Sequence, residues 1–359
     1  MSSLVALDIA DAPALGCADH TADSLNQDPL VSVIIPCYNG EAFLKEAIES
    51  ALAQSYHRVE VIVVDDGSTD SSSEIAQKLP GRYIRQPNRG LTASRNLGVR
   101  ESKGSYIVFL DADDRLRPEG IETGLRVLAE RPEYAMAVGD HLFVSKDGSH
   151  LADSRKDCLA TSHYEALLRS NFIEMISSVL FRRCVLDEVG GFDTGLRVAE
   201  DYELYLRIAR DYPICCHSTV VAEYRMHQAN ASRNSELMLT MTLQVLRSQA
   251  RYIRSDSRRL FAFLEGLRTW RRQYGRQLAS ELARSFSTLQ VHHLGRKLLL
   301  LLNHYPQGLM MLLLLLSVPD LSKRKALVHR QARTKETPLL QRVHAWFNAS
   351  KAPSPAQIG

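Results

Sequence analysis

Short runs of β-branched and aliphatic residues alternate with helix-like segments from Val31 onward, and this alternation constrains the fold most. The runs are Val31–Pro36, Val59–Val64, Tyr83–Arg85 and Tyr106–Leu110. Alternating strands and helices build βαβ units, in which consecutive strands pair in parallel. The pattern therefore predicts an α/β domain with a Rossmann-like, mostly parallel open sheet.

Four segments between and after these runs have helical spacing of apolar residues. They are residues 41–54, a helix beginning near Ser71, residues 91–101 and residues 121–131. Ser71 is followed three residues later by Glu74, which fits a capping box at the helix start. The sequence divides into a flexible leader over 1–29, an α/β domain over 30–235, a basic α-helical C-terminal region over 236–350 and a flexible tail over 351–359.

The C-terminal part of the chain is strongly basic. Residues 241–359 hold 20 Lys and Arg against 5 Asp and Glu, whereas the whole chain carries a net charge of +3. Leu, Trp and Phe are interleaved with the basic residues, so this region is suited to an anionic membrane surface. A helical bundle that packs on protein or self-associates explains the same pattern. No recognisable nucleic-acid-binding module accompanies the charge.

The cysteine pattern and the leader favour a cytoplasmic protein, peripheral at the inner face of the membrane if the basic region binds lipid. The six cysteines form no CxxC pair and no zinc-like spacing, so we expect neither a disulfide framework nor structural zinc. Before Val31 there is no Lys or Arg, so the basic start of a signal peptide is missing. The apolar stretch Leu298–Val318 is interrupted by a polar segment and is not expected to span a bilayer.

Polar segments with acidic residues, 36–41, 65–70 and 111–114, follow three of the predicted strands, at the sheet edge where open α/β sheets bind ligands. The segment Asp111-Ala112-Asp113-Asp114 follows Leu110, and carboxylates two apart can hold Mg²⁺ or Mn²⁺ with open positions for phosphate oxygens. A capped turn leading into Pro118 is the alternative interpretation. The segment Asp65–Ser68 can accept hydrogen bonds from a base or ribose, or form an ordinary Asp-Gly turn.

Six motifs in order resemble family-two glycosyltransferases with a GT-A fold. They are VSVIIPCYNG (31–40), VVDDGSTD (63–70), NRGLTASRNLG (88–98), FLDADD (109–114), GGFDTGLRVAEDYELYLRIA (190–209) and YRMHQANAS (224–232). They cover about residues 30–232. The resemblance weakens at 228–230, where Gln-Ala-Asn replaces the family's frequent Pro-Gly-Ser.

The resemblance implies a nucleotide-sugar site, and its residues carry over one by one. Those expected at the donor are Pro36, Tyr38, Asn39, Glu41, Asp66 on the base, Asn88, Arg95, Asp111 on the ribose or sugar, Ala112 and Asp113. The metal, Mn²⁺ or Mg²⁺, is expected on Asp113 and His227, although a lone histidine can also be a packing residue. A guanidinium such as that of Arg95 can bind a diphosphate through bidentate bonds, or it can simply be a solvated helix residue.

The pair Glu200-Asp201 opens an apolar helical segment, where N-terminal capping alone would explain two carboxylates. The resemblance implies that Asp201 is the general base and that Glu200 lies nearby on the acceptor side. A base and a metal-assisted diphosphate leaving group give a single displacement with inversion.

The sequence therefore predicts a metal-dependent inverting glycosyltransferase. We expect it to use a nucleotide sugar, a UDP-sugar, and a glycan or lipid-linked acceptor in cell-surface polysaccharide or glycoconjugate synthesis. The alternatives are a non-catalytic nucleotide-sugar-binding scaffold and a sugar-nucleotide hydrolase or nucleotidyltransferase. Neither a GxxxxGK[ST] loop nor a GxGxxG fingerprint is present, which disfavours ATPases and dehydrogenases.

Overall fold

The structure, a computed structural model, describes residues 28–154, 162–227, 234–253, 256–287, 294–309 and 312–313. The predicted leader up to residue 27, the predicted tail and the divergent 228–230 segment lie outside these residues. Contacts divide the chain into two units, Met1–Asn230 with Met241–Leu267, and Ala231–Thr240 with Arg268–Gly359. The predicted domain bounds stay a prediction.

The described elements alternate between strand and helix in the first part of the chain. The strands are β1 Val31–Cys37, β2 Val59–Asp65, β3 Arg82–Arg85, β4 Tyr106–Phe109, β5 Arg115–Leu116, β6 Met136–Val144, β7 His150–Asp153, β8 Val179–Arg182 and β9 Cys215–Arg225. The helices are α1 Leu44–Leu52, α2 Ser72–Lys78, α3 Leu91–Glu101, α4 Gly120–Glu130, α5 His163–Arg169, α6 Arg183–Val189, α7 Glu200–Asp211, α8 Ser235–Ser248, α9 Ala250–Ile253, α10 Ser257–Ser287 and α11 Leu294–His304.

The strands form one sheet in the order β3-β2-β1-β4-β8-β6-β9-β5, with β7 paired to β6. The half from β3 to β4 is parallel, as the alternation predicts. Beyond β4 the sheet is mixed, because β8 runs antiparallel to both β4 and β6 while β9 runs parallel to β6. All four predicted strands are present in the parallel half.

The core lies on both faces of the parallel half, and this explains why β1 is buried along its whole length. A parallel strand covered by helices on both sides reads as a continuous apolar run. Helix α3 packs closely on this strand at Gly98, where a Cβ would lie 2.3 Å from Ile34. The absence of a side chain at Gly98 therefore lets α3 approach β1.

The start of α2 differs from the predicted capping box. Ser71 is the N-cap residue, but its side chain makes no capping hydrogen bond. Asp70 takes this role instead, since its Oδ1 accepts the backbone N–H of Ser72 at 3.0 Å. The helix begins where the sequence predicted, and the neighbouring carboxylate is the better acceptor because it is charged.

The expectation that no cysteine forms a disulfide is wrong. Cys184 at the start of α6 and Cys216 on β9 are disulfide-bonded, whereas Cys37 and Cys215 are free. Sequence spacing did not reveal this, because it contains no CxxC pair or other short-range cysteine pattern that would signal a disulfide. The cysteine pattern therefore no longer favours a cytoplasmic protein.

Beyond residue 234, the described residues are helical. This agrees with the absence of strand-like alternation in the sequence. Across all the described helices, none combines the length and apolar character that crossing a membrane requires. Part of the apolar Leu298–Val318 stretch lies outside the described residues.

Candidate active site

The loops that follow β1 and β2 are hydrogen-bonded to each other. The backbone N–H of Asn39 donates to Ser68 Oγ at 3.0 Å, and Asn39 Oδ1 accepts the N–H of Thr69 at 2.8 Å. Glu41 Oε2 accepts the N–H of Ser71 at 3.0 Å. Asn39 has a φ of 52°, a left-handed conformation that asparagine tolerates better than most residues. Asn39 and Glu41, both predicted at the donor site, thus fix the shape of its rim.

Four other predicted donor-site residues differ in accessibility. Tyr38 is 53% exposed, and Asn88 is exposed in the loop before α3. Pro36 is buried within β1, and Ala112 is half-buried against Gly40. Tyr38 and Asn88 can therefore contact a ligand with their side chains, whereas Pro36 shapes the site from within the sheet.

Asp66 holds the loop that leads into α3. Its Oδ1 accepts hydrogen bonds from Gln86 Nε2 at 2.7 Å and from the N–H of Arg89 at 2.8 Å, and its Oδ2 accepts the N–H of Gly90 at 2.8 Å. The side chain is buried. The structure thus gives Asp66 a clear role in positioning Asn88, which lies within this loop. Its predicted contact with the base stays a prediction.

Asp65, which the sequence analysis placed in the Asp65–Ser68 segment without giving it a role of its own, anchors the same region. Its carboxylate accepts the Tyr83 hydroxyl at 2.6 Å and the N–H of Ser68 at 2.8 Å. Burial alone would raise the pKa of Asp65, but these hydrogen bonds and nearby Arg85 outweigh it, so the pKa lies below its ordinary value. Asp65 therefore stays ionised and stabilises the donor-side loops.

The three carboxylates after β4 have three different long-range partners. Asp111 is ion-paired with Arg95 at 2.7 Å, and Asp113 Oδ2 lies 2.7 Å from Nε2 of His227. Asp114 is buried and accepts the N–H of Arg225 at 2.9 Å. The segment is therefore more than a capped turn. It brings together residues from α3, from β9 and from the residues that follow β9.

Arg95 lies at the centre of this arrangement and is 2% exposed. Its Nη2 contacts Asp111 and its Nη1 contacts Glu200 Oε1, both at 2.7 Å. The alternative of a solvated helix residue is therefore wrong. The predicted diphosphate contact stays a prediction, while the described contacts are with two carboxylates.

Glu200 and Asp201 open α7 directly after Ala199, which has a left-handed φ of 60°. Asp201 Oδ1 accepts the N–H of Tyr202 at 2.7 Å. Burial, and after it the charge of Glu200, raise the pKa of Asp201 to about 7 even though Arg95 lowers it. A carboxylate with such a pKa suits a general base near neutral pH.

Asp113 and His227 are the two residues expected to hold a metal ion. The His227 ring also lies 5.3 Å from the ring of Phe43. Within the described ranges, no group of three or more His, Cys, Asp and Glu side chains is arranged to hold a metal. A set of two protein ligands still fits Mg²⁺ or Mn²⁺, because Mg²⁺ sites commonly use one or two carboxylates together with water and substrate phosphates.

Arg225 is a structural residue of this site that the sequence analysis missed. It is 2% exposed, and its Nε donates to the carbonyl of Asp113 at 2.9 Å. Its Nη atoms donate to the carbonyl of Lys146 and to Glu46 Oε2, both at 2.7 Å, and its guanidinium lies 4.6 Å from the Phe43 ring centroid. Its place in the YRMH motif was the available signal. Arg225 holds the Asp113 loop in place.

Tyr205 is a second missed residue, one helical turn after Asp201 on α7. Its side chain is fully buried and its ring stacks on Phe181 at a centroid distance of 6.4 Å. Among the described residues its hydroxyl has no hydrogen-bond partner. The four-residue spacing from Asp201 was a usable signal, since residues i and i+4 share a helix face.

Comparison with known proteins identifies the family. The model of glycosyl transferase family 2 matches residues 32–190. An uncharacterized glycosyltransferase of Rickettsia typhi is 33% identical over 218 residues, which cover 58% of this chain and 67% of that protein. The chain belongs to glycosyl transferase family 2. A relative from Rickettsia bellii is 32% identical over 216 residues, and that match covers 57% of this chain but only 31% of that relative.

Solved structures confirm the GT-A fold of this family-two glycosyltransferase. Staphylococcus aureus TarS 1-349 in complex with UDP-GlcNAc matches with a TM-score of 0.53 and 20% identity, covering 90% of this chain and 93% of that one. Mannosyltransferase PcManGT from Pyrobaculum calidifontis, in complex with GDP-Man and Mn²⁺, matches with a TM-score of 0.54 and 17% identity, covering 91% and 87%. The predicted fold class is confirmed.

Proposed function

We propose that this glycosyltransferase transfers a sugar with inversion from a UDP-sugar to a hydroxyl of a glycan or lipid-linked acceptor. The products belong to cell-surface polysaccharide or glycoconjugate synthesis. One observation carries the proposal: Asp201, a carboxylate whose pKa is raised to about 7, follows Glu200, which Arg95 joins to the first aspartate after β4. A base and a donor-binding carboxylate are thus held in one cluster.

Asp201 accepts the proton of the acceptor hydroxyl as the hydroxyl oxygen attacks the anomeric carbon of the donor. The new carbon–oxygen bond forms as the bond to the diphosphate oxygen breaks, and the nucleoside diphosphate leaves with the electron pair. Attack from the face opposite the leaving group inverts the configuration. Asp113 and His227 would hold a divalent cation, which when bound neutralises the charge that develops on the diphosphate.

The donor class, a nucleoside-diphosphate sugar, is supported by the structural neighbours. TarS was solved with UDP-GlcNAc and PcManGT with GDP-Man and Mn²⁺. Both complexes hold a nucleoside diphosphate sugar, and they differ in the base. The exposed Tyr38 and the loop of Asn88 are the surfaces that would meet the base here.

The test is nucleotide release from a panel of UDP-, GDP- and dTDP-sugars with Mn²⁺ and candidate acceptors, with and without EDTA. We expect release from a UDP-sugar that EDTA abolishes and that Asp113→Ala abolishes. Asp187→Ala, which removes an exposed carboxylate on α6, is the matched control and should behave like the wild type. Release from a GDP-sugar alone would overturn the donor assignment.

Two further outcomes of the same panel overturn the transferase itself. Release of free sugar without any acceptor product identifies a sugar-nucleotide hydrolase. Tight donor binding without turnover, whichever acceptor is supplied, identifies a binding scaffold. Where a glycosylated acceptor forms instead, its anomeric configuration, read by NMR, tests the inversion separately.

We also propose that the basic C-terminal region meets an anionic membrane surface. On α10, Leu260, Phe261 and Leu264 are 41%, 56% and 43% exposed, and Arg258 is exposed beside them. Apolar side chains and basic residues on one helix suit the interface of an anionic bilayer.

Co-sedimentation with anionic liposomes tests the membrane proposal. The double substitution Phe261→Asp and Leu264→Asp should reduce sedimentation strongly. The control Leu151→Asp, at an exposed leucine on β7, should leave it unchanged. Unchanged sedimentation of the double variant overturns the proposal, and loss of a dimer in the same variant favours self-association.

A further inference from the structure

A charged cluster connects the donor side and the acceptor side of the site. It contains one guanidinium, that of Arg95, and the three carboxylates of Asp111, Glu200 and Asp201. Arg95 is 2% exposed and contacts Asp111 and Glu200 at 2.7 Å each. The Arg95 guanidinium is therefore shared between Asp111, which follows β4, and Glu200, the first residue of α7.

We infer that Arg95 is a positioning residue that fixes the general base relative to the donor-binding carboxylate, rather than a ligand of the donor's diphosphate. It acts through Glu200, the residue directly before Asp201. The inference rests on the proposed function, because it assumes that Asp201 is the base. It adds a role that the family resemblance did not imply for this residue.

The geometry opposes a diphosphate contact. Both terminal nitrogens of Arg95 are already engaged, and turning them toward a ligand would leave Asp111 and Glu200 without their cation. Breaking a buried ion pair in this way is strongly unfavourable, because an uncompensated charge remains in the protein interior. A diphosphate ligand would also need an accessible guanidinium, and this one is buried.

The next residue, Asn96, supports the same role. Its Nδ2 donates to the carbonyl of Phe192 at 2.9 Å, and its Oδ1 accepts the N–H of Phe192 at 2.9 Å. The Arg95 guanidinium lies 5.3 Å from the centroid of the Phe192 ring. Two consecutive residues of α3 therefore bind the segment that leads into α7, in addition to α7 itself.

The cluster also controls the charge of Asp201. The groups that act on it are Glu200 on the same helix, Arg95 on α3 and Asp111 after β4, and Tyr205 lies one turn further along α7. The two carboxylates disfavour its ionisation, whereas Arg95 favours it. Removing Arg95 and neutralising Glu200 should therefore shift the titration of Asp201 in opposite directions.

The test compares Arg95→Met, Arg95→Lys and Glu200→Gln with the wild type by kinetics across pH. For Arg95→Met we expect kcat to fall by about 100-fold, as for a base misplaced by about 1 Å. The acid limb of its pH–rate profile should shift to higher pH. The Kd for the nucleoside diphosphate should stay within about threefold. Arg95→Lys should restore part of kcat, and Glu200→Gln should shift the acid limb of the profile to lower pH.

Arg182→Met is the matched control for loss of a buried arginine. Arg182 is 5% exposed and donates to the carbonyls of Tyr134 and Leu128, outside the charged cluster. This variant should lose stability without moving the pH profile. If Arg95→Met instead weakens diphosphate binding more than tenfold and leaves the acid limb in place, Arg95 is a donor ligand and the inference is wrong.

A measurement without turnover separates this inference from the proposed function. In protein with ¹³C-labelled aspartate carboxyls, the Asp201 signal is assigned by its absence in Asp201→Asn. The pH midpoint of its titration should rise in Arg95→Lys, which loses at least one ion pair. The same midpoint should fall in Glu200→Gln. An unmoved midpoint in both variants overturns the inference, whereas an inactive wild type with these shifts overturns only the proposed function.

Discussion

The donor-side loops and the acceptor-side cluster use the same side chain, aspartate, in opposite ways. At the donor side, burial would raise the pKa values of Asp65 and Asp70, but hydrogen bonds from hydroxyls and backbone N–H groups lower them below the ordinary value. At the acceptor side, burial and neighbouring carboxylates raise the pKa of Asp201 to about 7. Both sets lie at the same edge of one sheet.

The difference comes from hydrogen-bond partners as well as from burial. Asp65 is almost fully buried, yet it stays ionised because Tyr83 and Ser68 both donate to it. Asp201 accepts a hydrogen bond from the N–H of Tyr202 and lies beside Glu200. The carboxylate of Asp65 suits a structural role in holding its loops, whereas that of Asp201 suits a general base.

The sharpest test of this comparison is Asp201→Asn, which keeps the shape of the side chain and removes its basicity. We expect turnover to fall by about 10³-fold or more, since general base catalysis contributes about 10²–10⁴. Donor affinity, measured by calorimetry, should stay within about threefold. The corresponding Asp65→Asn enzyme should retain most of its turnover once folded, and near-wild-type turnover of Asp201→Asn would contradict the assignment.

The wild-type pH profile tests the raised pKa directly. A base must be ionised to accept a proton, so with a pKa of about 7 in Asp201 the rate should fall as pH drops below neutrality. A single ionisation gives about a tenfold loss per pH unit on the acid side and a plateau above. Initial rates with saturating donor and acceptor from pH 5 to pH 9 measure this, and a flat profile down to pH 5 argues against this base.

Stability should respond to pH with opposite sign in the two regions. The folded-state pKa of Asp65 is lowered, so its stabilisation is present above the unfolded pKa of about 3.9 and is lost as pH falls. Asp65→Asn should thus lower the free energy of unfolding at pH 7 by about 1–2 kcal/mol, with a smaller difference near pH 3.

The folded-state pKa of Asp201 is raised, so ionisation of Asp201 destabilises the fold as pH rises from about 4 through 7. Asp201→Asn should therefore gain stability relative to the wild type at pH 8 but not at pH 4. Urea titrations at pH 3 and 7 for Asp65→Asn, and at pH 4 and 8 for Asp201→Asn, measure these differences. If the free energy of unfolding changes with pH in the same way in both variants, the predicted contrast between the two regions is wrong.

The smallest effect is expected for the hydroxyls of two tyrosines on α7. Tyr202 donates its hydroxyl to the carbonyl of Leu167 at 2.6 Å, whereas among the described residues that of Tyr205 has no partner. Tyr202→Phe should destabilise by about 1 kcal/mol, and Tyr205→Phe should be neutral or slightly stabilising. Thermal unfolding compares the pair, and a larger loss in Tyr205→Phe would reveal a partner for its hydroxyl.

Much of the parallel half of the fold could be predicted because its signals are local. The run Val31–Pro36 is apolar along its length since both faces of the strand are covered, and Gly98 marks the close approach of α3. The mixed half could not be predicted, because β8 follows a 3-10 turn rather than the helix of a βαβ unit, so no local pattern signals its antiparallel pairing with β4.

The sequence by itself determined which residues are the candidates for the chemistry: the aspartates after β4, the Glu200-Asp201 pair and His227 all stand in motifs that are short along the chain. Only the tertiary structure decided what each one does to the others. It buried Arg95 between Asp111 and Glu200 and placed Asp113 against His227. Charges interact through space rather than along the chain, so the pairing of one cation with several carboxylates depends on how α3, β4 and α7 meet.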